Sequence, residues 1–179
     1  MVRFGPQAIR DSHHLIVGPW RHGVGPRQVG DLDFGPQADI DFRPIELRWF
    51  DYWLKGVDNG IMDEPPVSIF VMGEDKWRSE PGWPLNRAEE TKYYFRSSGR
   101  ANSRFGDGRL SSSAPAQEPP DSFVYDPEDP VPTYGGNVSM QPSTSGPRDQ
   151  RAIQRRDDVL VYTGPVLEAG VEVTGRVLA

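Results

Sequence analysis

Histidine is the side chain whose ordinary pKa suits proton transfer near neutrality, and this chain has three, His13, His14 and His22. His22 lies four residues past Gly18, beyond the C-terminal end of an apolar run, Leu15-Ile16-Val17. Open α/β sheets place functional loops at that end of a strand. A general base there could reach a group on another strand, although loops also carry many polar residues with no task. His13 and His14 are adjacent, so in an extended segment they point to opposite faces and cannot chelate as a pair. The chain has no cysteine, which removes disulfides, thiolate ligands and a Cys nucleophile. No metal or cofactor site is expected.

The elements that must position these residues follow from local pattern. Residues 12 to 20 read as a short buried strand, closed by Gly18-Pro19, which cannot continue a ladder. Glycines at 18, 23, 25, 30 and 35, with Pro26 and Pro36, make regular structure unexpected until Ile40. From there Phe42, Ile45, Trp49, Phe50, Trp53 and Leu54 recur at helical spacing, and the pattern predicts a helix that buries Trp49, Phe50 and Trp53. Asp39 or Asp41 can cap it, Pro44 fits its first turn, and Lys55-Gly56 ends it.

Asp58-Asn59-Gly60 turns the chain, and strands are predicted at Val67 to Gly73, after Pro65-Pro66, and at Thr91 to Arg96. Residues 97 to 121 are rich in Gly, Ser and Pro and read as a surface excursion. Further short strands are predicted at Ser122 to Tyr125, Asp158 to Thr163 and Val171 to Ala179. An α/β portion over 1–88 followed by an all-β portion over 89–179 is the division this implies.

Composition narrows the partners. Of 179 residues, 26 are acidic and 20 basic, a net charge of −6, which argues against nucleic acid and anionic membranes as partners. No apolar run approaches the roughly 20 residues of a membrane span. Nothing from Met1 to Pro6 has the apolar core of a secretory signal, which leaves the compartment open with the cytoplasm favoured.

Five blocks in order then point to a family. Leu15 to His22 (Leu-Ile-Val-Gly-Pro-Trp-Arg-His), Asp33-Phe34-Gly35, Arg48 to Gly56 (Arg-Trp-Phe-Asp-Tyr-Trp-Leu-Lys-Gly), Ile69 to Arg78 and Trp83-Pro84 resemble the cocaine esterase and X-Pro dipeptidyl-peptidase family of serine hydrolases. Downstream, Tyr125 to Gly136, Asp149-Gln150-Arg151 and Arg156 to Tyr162 look like that family's C-terminal jelly roll. The resemblance implies the tail of an α/β-hydrolase domain over 1–88 and the front of a β jelly roll over 89–179. It makes His22 the catalytic histidine, taking a proton from a serine as an acyl-enzyme forms from a small ester or X-Pro amide.

The rest of the triad is not found. The family's nucleophile sits in a G-x-S-x-G elbow, and no serine here is so flanked: Ser97 and Ser98 follow Arg96, and Ser111 to Ser113 fall in the excursion. Asp11 is the one acid before His22, and it lies at the far end of the predicted strand, about 20 Å away over six extended residues. The expectation is a fragment of a serine hydrolase, inactive alone and prone to self-association through open sheet edges. The alternative is a non-catalytic jelly-roll module that binds carbohydrate or a partner protein through Trp77, Trp83, Tyr93 and Tyr94.

Overall fold

The computed structural model describes residues 12–23, 25–136 and 145–178. The chain divides into two compact units, Met1–Ala88 with Asn137–Pro147 and Thr174–Ala179, and Glu89–Gly136 with Arg148–Val173. Among the described residues the elements are seven short strands, one α-helix and three single 3-10 turns, so the chain is β-rich with little helix. No helix among them is long and apolar enough to cross a membrane.

In the first unit β1 (Leu15–Val17) pairs in parallel with β4 (Val67–Val71), Leu15 opposite Val67 and Val17 opposite Ile69. β5 (Lys76–Glu80) pairs antiparallel on the other side of β4, Val67 opposite Glu80 and Val71 opposite Lys76. A parallel pair needs a long crossover, and this one carries the helix α1 (Arg43–Lys55). β5 is not evident from sequence, because Lys76, Arg78 and Glu80 depress local strand preference. Its pairing with β4 through a turn at Gly73 (φ 90°) and Asp75 (φ 53°) decides the matter.

The period of two in β4 serves two cores. On one face Val67 and Ile69 pack with Leu85, joined by Leu15, Val71 and Trp83. On the other Phe70 packs with Val29, Phe34 and Ala38, joined by Trp77. The second core is built from the stretch predicted to be irregular. There β2 (Gln28–Val29) and β3 (Leu32–Asp33) form a minimal antiparallel hairpin, and Pro36–Ala38 make a 3-10 turn. Gly30, at φ 62°, opens the two-residue turn, the position where a tight hairpin wants glycine.

α1 runs over the predicted residues. Asp41 accepts the backbone N–H of Arg43 at 3.1 Å, Pro44 sits in the first turn, and Gly56 (φ 69°) donates to the carbonyl of Tyr52 at 3.1 Å to end it. The predicted buried face is a correction. No helix residue is buried, with Phe50 52% and Trp53 44% exposed. Arg48 pairs with Glu64 at 2.6 Å, Asn59 donates to the Arg48 carbonyl at 2.7 Å, and the Trp49 ring lies tilted against that of His14. Those contacts tether the helix, and no second apolar layer among the described residues covers its stripe. β1 differs similarly: it is half-buried to exposed, because only β4 pairs with it among the described residues.

Among the described residues of this unit Glu80 is the buried acid, its side chain 3% exposed. Arg87 donates to it at 2.6 Å and Arg78 at 2.6 Å. Arg87 first, then Arg78, hold its carboxyl down to about 2, against an ordinary 4.5. A carboxyl whose folded pKa lies below its unfolded value stabilises fully above the unfolded value and loses that contribution as pH falls. Urea midpoints should therefore drop from about pH 4.5 towards pH 2. In Glu80→Gln this part of the acid limb should be missing, and an unchanged limb would show that Glu80 does not carry it.

In the second unit β6 (Tyr94–Arg96) pairs antiparallel with β7 (Arg109–Ser111), Phe95 opposite Leu110. The excursion at 97 to 121 thus contains a strand, and a carboxylate orders it more than apolar burial does. Asp121 accepts from the Ser97 hydroxyl at 2.7 Å, the Tyr162 hydroxyl at 2.6 Å and the Ala101 N–H at 2.8 Å. Burial pushes Asp121 up, but the bonds from Tyr162, Ala101 and Ser97 outweigh it and leave it lowered. Burial first, then the Asp121 carboxylate, push the Tyr162 hydroxyl up to about 12.

Three other predicted strands are corrected. Residues 158 to 163 make two isolated bridges, Asn102 with Leu160 and Arg109 with Thr163, and residues 122–125 and 171–178 make no ladder. A strand exists only where an edge is available to pair. Val171 and Val173, 59% and 81% exposed, meet none among the described residues. Ala179 lies outside the described residues.

Candidate functional site

The segment from Gly18 to His22 leaves the C-terminal end of β1 and is the region to which the family resemblance assigns chemistry. Trp20 folds back over Gly18 so closely that a Cβ on Gly18 would overlap the indole ring. Only glycine fits beneath it. The Trp20 Nε1–H donates to the carbonyl of Ala38 at 2.6 Å, and the ring meets Phe42 edge-on at 5.3 Å and Trp77 at 5.6 Å. Trp77 donates its own Nε1–H to the neighbouring carbonyl, Gln37, at 2.7 Å. Pro19 is buried between these anchors.

Two residues beyond Trp20, His22 stands exposed in a bend. Its imidazole makes no hydrogen bond, ion pair or ring contact among the described residues. Asp11 lies outside the described residues. His13 is exposed, and His14 is half-buried with its ring 5.4 Å from that of Trp49. Among the described residues no group of three or more His, Asp or Glu side chains could hold a metal ion.

Among the described residues no serine is hydrogen-bonded to a histidine. Ser97 has a carboxylate partner in Asp121, but the third member of that cluster is Tyr162, so the hydroxyl is held and has no general base. The groove beside it, about 470 Å³, is lined by Phe95, Ser97, Glu118 and Asp121 among others. Its charged groups are occupied: Glu118 accepts from Arg96 at 2.7 Å and Asp121 from Ser97 and Tyr162. The aromatic platform fares poorly too, since Trp77 and Trp83 pack against the two cores of the first unit. The Asp121 hub and the paired indole donors were not visible in the sequence. Each joins residues 18 or more positions apart and follows no local spacing.

These features are those of a β-rich fold with a single α-helix. Residues 59–179 match the X-Pro dipeptidyl-peptidase C-terminal non-catalytic domain, and the chain belongs to that family. It is 41% identical over 177 residues to the cocaine esterase of Rhodococcus sp. (strain MB1 Bresler), a match covering 96% of this chain and 31% of that protein. A Bacillus anthracis protein named as an Xaa-Pro dipeptidyl-peptidase is 30% identical over 143 residues, 79% of this chain and 20% of its own length. The crystal structure of an aminopeptidase from a marine sediment Thaumarchaeota archaeon superimposes with a TM-score of 0.57 at 27% identity, covering 87% of this chain and 26% of that one. The chain thus spans a third or less of the length of these relatives.

Proposed function

We propose that this chain supplies the general base, His22, to a serine hydrolase of esters or amides whose serine and orienting acid come from upstream sequence. Residues 1–88 then complete the α/β-hydrolase domain and 89–179 form the front of its jelly roll. The observation that carries this reading is an exposed imidazole, unengaged among the described residues, beyond the C-terminal end of β1, in a chain 41% identical to an esterase. In that role His22 takes the serine proton as the hydroxyl attacks the acyl carbon, and returns it to the departing alcohol or amine. Its second ring nitrogen, without a partner among the described residues, then donates to the orienting carboxylate. The stripe of α1 and the edge of β1 left uncovered among the described residues are where the upstream body packs; without that body they favour self-association.

The test compares the 179-residue chain with a chimera in which it replaces the matched segment of the Rhodococcus cocaine esterase. The chain alone should neither hydrolyse p-nitrophenyl acetate above a His22→Ala control nor react with a fluorophosphonate. The chimera should do both. Labelling of the isolated chain, or a chimera with native near-UV dichroism and no turnover, would overturn the reading.

A further inference from the structure

We infer that Trp20 is the positioning residue for His22, acting through an indole clamp that the sequence pattern does not show. The inference rests on His22 being the general base. A base must be held to within a fraction of an ångström of its proton, and loops do so only when something fixes them. His22 makes no contact of its own among the described residues, and Gly23, which follows it at φ 97°, has no atom within 4 Å of where a Cβ would stand. Restraint arrives from the other side, two residues earlier.

Trp20 is held by contacts of different kinds. Gly18 lies against the ring with no room for a methyl group, Ala38 accepts the indole N–H, and Phe42 and Trp77 close its edges. The acceptor is fixed in turn. Trp77 donates to Gln37, the residue before Ala38, and the Gln37 side chain donates to the Asp75 carbonyl at 2.8 Å in the β4–β5 turn. Two indoles therefore grip consecutive carbonyls of one 3-10 turn, and through them the loop bearing His22 is tied to the sheet edge opposite β1. Ala38 is fully buried, so its carbonyl has no water to replace a lost indole donor.

The experiment reads loop order in the full chain by amide 15N relaxation and turnover in the chimera described above. In the wild-type chain Arg21 and His22 should have order parameters near those of β4, above about 0.8, whereas Gly23 and Gly25 should fall lower. Trp20→Phe keeps a ring but removes the N–H, and Gly18→Ala displaces the ring; each should drop Arg21 and His22 below about 0.6 while β4 and β5 are unchanged. In the chimera the same changes should lower kcat about 10-fold to 100-fold with KM within two-fold, the mark of a misplaced base and not of lost binding. Mobility of residues 21–22 equal to that of Gly23 and Gly25 in the wild-type chain would overturn the clamp even if both variants failed to fold. Unchanged kcat in folded variants would overturn it as well. Full activity in a His22→Ala chimera would instead remove the base assignment and leave the relaxation result standing.

Discussion

In the chimera, His22→Ala should lower kcat on the order of 10⁴-fold or more and leave KM nearly unchanged. The asymmetry follows from when the imidazole is needed. Substrate in its ground state carries no proton to be moved, whereas attack by the hydroxyl requires one to leave as the new bond forms, so the interaction exists only in the transition state. Residual turnover would come from whatever oxyanion stabilisation the upstream body provides. Stopped-flow release of p-nitrophenol separates the steps, and the acylation burst should vanish in the variant. A rise in KM of similar size with kcat intact would reassign His22 to binding.

Phe34→Ala should destabilise the isolated chain by about 3–5 kcal/mol, and Trp53→Ala by about 1 kcal/mol or less. Phe34 is 2% exposed and meets Phe70 edge-on at 6.0 Å within the cluster that also holds Val29 and Ala38. Its removal leaves a void bounded by a hairpin and a sheet that cannot both collapse inward. Trp53 is 44% exposed and touches chiefly its helix neighbours Trp49 and Tyr52. Urea midpoints at unchanged slope measure both. Measured again in the chimera, Trp53→Ala should approach the cost at Phe34, because the upstream body then covers the helix. Equal, small costs in both settings would show that α1 stays open and that the body packs elsewhere.

The contrast between these two aromatics shows how much of the fold was legible in advance. The spacing of Phe42 to Leu54 places a helix and even its apolar stripe, yet it does not say what lies across from the stripe. Phe34 sits between glycines in a stretch with no period at all, and it lies at the centre of a core. Similarly, His22 stood out in the sequence by its place after Leu15-Ile16-Val17, but nothing there revealed that Trp20 reaches Ala38 or that Trp77 reaches Gln37.

What this sequence determined by itself is therefore local. α1 ends where Asp41, Pro44 and Gly56 say it should, since a helix closes its hydrogen bonds within itself and its caps are neighbours in the chain. β1 and β4 are marked by compact β-branched runs, and the ordered blocks that carry the family resemblance are likewise short and contiguous. The tertiary structure alone decided which other segments became strands. β5 formed despite its charges because β4 offered it an edge, β7 formed inside a polar excursion because β6 did, and Val171 to Leu178 formed none for want of a partner among the described residues. It also decided burial and the setting of His22, because both depend on residues far apart in the chain, and on whether an apolar face meets another one or water.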